Sequence, residues 1–237
     1  MAKRELKDTV ENQYFKGESI PVEGEDGTRE MNPLLPFIIS GGKNTERYYF
    51  KHISHITPFK FNIKPEYFGD ESQYNVRFSE IVDEILQRNG VDARIFCVFD
   101  LDTIIGNKTR ENSLKEFEKR IKGKATLCPS MPSIEYWFLL HFEDCCELLK
   151  DWGGISQKLA PYIRQCFSYQ NIKGVRLKDL LKKEEYVKDE RWVEELYKDG
   201  KLELAVSRAE KNIVAALDAG ILENQSYSFV YLIFKEY

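Results

Sequence analysis

No stretch of the sequence approaches the roughly 20 consecutive apolar residues that a membrane-spanning helix requires, and residues 1–8 (MAKRELKD) are too charged for a signal peptide. The expectation is a cytoplasmic protein without a membrane partner. Positive charge is not in excess either: 35 Lys and Arg against 39 Asp and Glu give a formal net charge of -4. That balance excludes a histone-like mode of binding, so any nucleic-acid contact must use a local basic surface or a bridging metal ion. Histidine is scarce, with only His52, His55 and His141. The cysteines, Cys97, Cys128, Cys145, Cys146 and Cys166, are odd in number and lack a second CxxC-like pair, which speaks against both a zinc site and a disulfide framework. Buried reduced thiols are expected. The P-loop spacing and the GxGxxG fingerprint are absent, and no internal repeat is found.

What is present is the composition of a folded chain: 42% hydrophobic and 31% charged residues, with 15 Phe, 13 Tyr and 3 Trp in 237 positions. That length suits one large domain, or one domain with appendages. Residues 1–31 carry Glu- and Gly-containing text with little hydrophobic periodicity and read as an arm. The patterning then predicts strands at 34–40, 61–68, 94–99 and 124–128, alternating with helices at 46–55, 75–89, 112–122 and 133–142. This βα alternation points to an open, mainly parallel α/β sheet spanning residues 32–142. Residues 143–237 read as a helical insertion or cap with C-terminal helices: a helix at 205–219 is stopped by Gly220, and 228–237 is a last helix or a strand.

Three segments can carry chemistry. Asp100 and Asp102 follow the buried run RIFCVF, where ligands of open α/β sheets bind, and two carboxylates there can share a hard cation such as magnesium or manganese. The same pair also fits a loop cap beside a solvated acid. Residues 40–46 (SGGKNTE) run from a strand into a helix: Gly42, Lys43 and Thr45 form either a phosphate cradle or a tight turn with Thr45 as helix cap. Glu135 opens the apolar helix SIEYWFLLHF. It needs a metal, a cation or free helix amides if it is buried, or else it is an ordinary first-turn acid. His141 reads as a satisfied core or boundary histidine. Most of the aromatic residues read as core.

Taken together, SGGKNTERYYF (40–50), CVFDLDT (97–103), SMPSIEYWFLLHF (130–142) and ENQSYSFVYLIFKEY (223–237) resemble, in order, the motifs of the RloB family. These are Glu-Gly-x-x-Thr-Glu-x-x-Tyr-Phe, Asp-x-Asp, Asn-Pro-x-x-Glu-x-Trp-x-x-x-His-Phe and an Asn-Pro-Ser-Thr-like helix start. The resemblance implies a Toprim-like fold and a metal-dependent nuclease of DNA or RNA in bacterial antiphage or abortive-infection defence. It also implies an ATPase from the same locus as a partner, and leaves a homo-oligomer open. Carried over motif by motif, Asp100 and Asp102 hold magnesium, or manganese in its place, and Glu46, Asp100, Asp102 and Glu135 form the catalytic set. Gly42, Lys43, Thr45, Lys108 and Arg110 are then expected to contact phosphate.

The sequence departs from the pattern at the leading glutamate, which is Gly41 here. Asn-Pro becomes Met131-Pro132, and the last motif becomes Asn224-Gln225-Ser226-Tyr227. The first change leaves two outcomes open. Either Glu46 reaches the site and substitutes, or the chain is a catalytically degenerate relative that binds nucleic acid or regulates.

Overall fold

The computed structural model describes residues 34–42, 44–64 and 74–235. The arm expected at 1–31, Lys43, residues 65–68 of the second predicted strand and the last two residues of the C-terminal segment lie outside the described residues.

Strands β1 (Phe37–Ser40), β2 (Asn62–Lys64), β3 (Ile95–Asp100), β4 (Thr126–Met131) and β5 (Tyr227–Ser228) form one sheet in the order β2-β1-β3-β4-β5. The first four are parallel, and β5 runs antiparallel to β4, with Ser130 opposite Ser228. The mostly parallel sheet, its flanking helices and the helical C-terminal region make the α/β architecture expected from the sequence. The chain leaves β1 toward β2 on one side and returns to β3 on the other, so the strand order reverses between β1 and β3. A crevice at the carboxyl ends of such a strand pair is where open α/β sheets bind ligands.

Strand alternation sorts side chains onto two faces. Phe37, Ile39, Ile95, Cys97 and Phe99 pack against Phe78, Ile81, Val82 and Ile85 of α2 (Tyr74–Asn89) and Phe117 and Ile121 of α3 (Lys108–Ile121). Ile38, Phe96, Val98 and Cys128 face α1 (Thr45–Ile56) and α4 (Ile134–Leu140). Every residue of α4 is buried, as a helix apolar on all sides must be. The same core continues into α5 (Trp152–Cys166), α6 (Leu177–Lys182), α7 (Glu184–Val187), α8 (Arg191–Tyr197) and α9 (Lys201–Asp218), and ends with α10 (Tyr231–Lys235). Trp192, fully buried, lies against Tyr49, Phe138 and Phe167 and joins α8 to the sheet layer. Burying a ring system of that size contributes on the order of 4–6 kcal/mol of apolar transfer.

Several boundaries differ from the sequence expectation for local reasons. Pro36 precedes β1 instead of lying inside it, which suits its missing N–H. Thr45 is the first residue of α1 and not its cap: Asn44 holds the cap position, and the Thr45 hydroxyl donates to the Leu181 carbonyl. α3 starts at Lys108 because the Asn107 side chain accepts from the Arg110 N–H, placing Lys108 and Arg110 in a helical turn. β4 runs on through Pro129 to Met131, paired with β3 on one side and β5 on the other at its end. The C-terminal segment is both of the things it was read as: a two-residue strand followed by a short helix.

Candidate active site

The β1–α1 turn and the end of β3 meet at the reversal of strand order. Asp100 is the last residue of β3 and shares its face with Phe96 and Val98, so it turns toward α1 and α4. Its Oδ1 accepts the Ile134 N–H at 2.8 Å, at the first residue of α4. The backbone after it is tied down as well. Leu101 N–H donates to the carbonyls of Ser130 and Pro132 at 3.0 Å, and Asp102 N–H to Pro132 at 2.9 Å.

Glu46, second residue of α1, folds its carboxylate back over the Gly41-Gly42 turn. A Cβ on Gly42 would stand 1.5 Å from Glu46 Oε2, so glycine leaves the room that the carboxylate occupies. Glu46 is buried, and Oε2 has no hydrogen-bond partner among the described residues. Glu135, in the first turn of α4, is fully buried; its Oε2 accepts from the Ser133 hydroxyl. Its Oε1 stands 3.0 Å from Nζ of Lys182, close enough for an ion pair yet not aligned as a hydrogen bond.

Lys182 arrives from the last residue of α6, and the cap carrying it is fastened along one face of α1. Asn44 Nδ2 donates to the Lys182 carbonyl at 2.7 Å, Thr45 Oγ1 to the Leu181 carbonyl at 2.7 Å, and Tyr48 to Glu184 at 2.6 Å. His52 Nε2 donates to the Val187 carbonyl at 2.8 Å, and His55 pairs with Glu190. This seam places the ammonium among three carboxylates contributed by α1, β3 and α4.

Charge is out of balance there: three carboxylates face one ammonium, two positive charges short if all are ionised. Burial first, then the charges of Glu46 and Glu135, pushes the Asp100 carboxyl well above the usual carboxylate range. Burial likewise raises Glu46, with Lys182 opposing and Glu135 reinforcing. Burial alone would raise Glu135, but Lys182 and the Ser133 hydroxyl hold it below its ordinary value. For Lys182 burial favours the neutral amine, and the charges of Glu135, Glu46 and Asp100 override it, keeping the ammonium charged.

Of the residues singled out from the sequence, Glu46, Asp100 and Glu135 come together. Asp102, two positions past the strand end, is exposed. Gly42 lies beneath Glu46, and the Thr45 hydroxyl is buried and donates to Leu181. Lys108 and Arg110 are exposed at the start of α3, and Arg110 Nη1 donates to the Thr103 carbonyl at 2.7 Å. His141 is buried but only half satisfied: Nδ1 donates to the Trp137 carbonyl at 2.9 Å, while Nε2 has no partner among the described residues.

Lys182 is the residue that the sequence did not single out. A buried carboxylate at Glu135 called for a cation, yet LLKKEE gives no sign of which lysine answers it 47 positions away.

Among the described residues no three His, Cys, Asp or Glu side chains converge on one point as a protein-only metal cage would. Magnesium does not need such a cage: it is commonly held by one or two carboxylates, with water and substrate phosphate completing its shell. The residues fit that mode. Their donors are hard oxygens, one buried Glu46 oxygen lacks a partner, and the cluster is short of positive charge.

No helix among the described residues is long and apolar enough to cross a membrane. The family model described as RloB-like protein matches residues 37–236. No curated protein and no solved structure matches the chain.

Proposed function

The chain belongs to the RloB-like family, and from that membership and its carboxylate cluster we propose a divalent-metal-dependent nuclease that hydrolyses DNA or RNA phosphodiesters in antiphage defence. The observation that carries this reading is the cation-deficient trio Glu46, Asp100 and Glu135 at the β1/β3 reversal. Magnesium or manganese, held by Asp100 with Asp102 beside it, would supply positive charge to phosphoryl oxygens and lower the pKa of a water nucleophile.

The chain's own groups do the rest. Asp100 is oriented by the Ile134 N–H, which leaves its second oxygen for the ion. Glu46 is buried, with its pKa raised by that burial and one oxygen left unpartnered, which suits a carboxyl that takes up and gives back a proton. Glu135 is held ionised by Lys182 and Ser133 and anchors the ammonium beside the reacting phosphate. Lys108 and Arg110, exposed on α3, would meet the polyanion further out.

The test is cleavage of single- and double-stranded DNA and RNA with magnesium by the protein and by the double variant Asp100→Ala, Asp102→Ala. The variant is expected to lose all cleavage; a magnesium-dependent activity that persists in it overturns the assignment.

Gly41 favours a second reading, a degenerate relative that binds nucleic acid or regulates, because the leading carboxylate is missing. The fold of Glu46 over the adjoining Gly42 supports the active form, since it brings a carboxylate back to that turn. Gly41→Glu separates the two: a strong gain of cleavage marks the native chain as impaired, and no gain leaves Glu46 as the replacement.

A further inference from the structure

We propose that Lys182 competes with the metal ion for the carboxylate cluster, so that the site binds a divalent ion more weakly than the bare carboxylates would. The inference deepens the metal-dependent reading and rests on it.

Three observations carry it. Nζ of Lys182 stands 3.0 Å from Glu135 Oε1 and is kept charged by Glu135, Glu46 and Asp100, so the ammonium already offsets part of the negative charge that would draw a divalent ion. The Lys182 side chain keeps 40% of its exposure while that of Glu135 keeps 1%, so the lysine reaches from solvent to the buried carboxylate. The position is also built independently of the ammonium. Asn44 and Thr45 hold the carbonyls of Lys182 and Leu181, so the α6 backbone stays docked whatever the side chain does. An ammonium and a divalent ion that share the same carboxylates repel each other, and the weaker that repulsion, the tighter the metal binds.

The experiment is calorimetric titration of the full chain with manganese alone, for the wild type, Lys182→Gln and Lys182→Arg. The glutamine removes the charge and carries an amide N–H that can donate to Glu135, which keeps that buried carboxylate from being abandoned. Lys182→Gln is expected to bind manganese about tenfold or more tightly than the wild type, and Lys182→Arg to stay near wild type. Unchanged or weakened binding in Lys182→Gln overturns it while leaving the metal-dependent reading intact. Absence of manganese binding in all three proteins overturns both.

Discussion

The carboxylate of Glu46 occupies the volume that a side chain at Gly42 would need, with Oε2 standing 1.5 Å from where a Cβ would be. A glycine in a strand-to-helix turn is usually explained by a backbone that approaches a ligand closely. Here it makes room for a neighbour one turn along the helix. Gly42→Ala therefore expels the Glu46 carboxylate from its place, and should lower cleavage by about 10²–10⁴-fold, the range for losing a general acid or base. Glu46→Gln should do the same, and the double variant should be no worse than either single one. Single-turnover cleavage rates of the three proteins check this.

Thr45 and Leu181 are 136 residues apart in sequence and joined by one buried hydrogen bond. Thr45→Val keeps the shape and removes the donor, leaving a buried carbonyl at the end of α6. A cost of about 1–3 kcal/mol is expected, read as a lower urea midpoint with an unchanged slope. A change in slope instead would mean that the cap had come away from α1 in the folded state.

Glu135 and Lys182 should behave as a pair. Breaking a fully buried pair costs about 3–5 kcal/mol, but the Lys182 side chain is 40% exposed, so solvent screening lowers the expectation to about 1–3 kcal/mol for Glu135→Gln or Lys182→Met alone. The double variant should lose less than the sum of the singles. Urea unfolding of the four proteins in a double-mutant cycle measures that coupling, and strict additivity would mean that the two groups do not interact.

His141 should make the protein sensitive to acid. Burial first, with Lys201 and Arg208 adding to it, holds its pKa down to about 3, whereas the unfolded imidazole titrates near 6.5. Between those values the unfolded chain takes up a proton that the folded chain refuses. Stability from this group is therefore complete above pH 6.5 and falls as the pH drops toward 3, by up to about 1.4 kcal/mol per pH unit. His141→Asn removes the titrating ring, so from pH 7 to pH 5 the variant should lose about 2 kcal/mol less stability than wild type. Urea unfolding at the two pH values decides it.

Much of this architecture follows from local patterning. The run IFCVF (95–99) is apolar on both faces because β3 lies between parallel neighbours with helices on either side, and each of these five residues is buried. The α2 helix shows its period of 3.6 through Phe78, Ile81, Val82 and Ile85 for the same reason. Asp100, Glu46 and Glu135 were legible as a set because each lies at a strand end or a helix start, positions that local pattern marks. The start of α3 was less so: Asn107 had to be recognised as a cap inside a charged stretch, and composition alone does not separate a cap from a loop residue.

The sequence by itself determined the alternating βα order, the two buried faces of the sheet and the presence of carboxylates at its carboxyl edge, because periodicity and strand-end chemistry are properties of neighbouring residues. Only the tertiary structure decided that Thr45 spends its hydroxyl on Leu181, that Gly42 yields its space to Glu46 and that Lys182 is the cation beside Glu135. The first and last of these depend on which distant segment docks against α1. That choice is made by summed burial across a whole interface, and burial summed over many residues leaves no mark on any one of them.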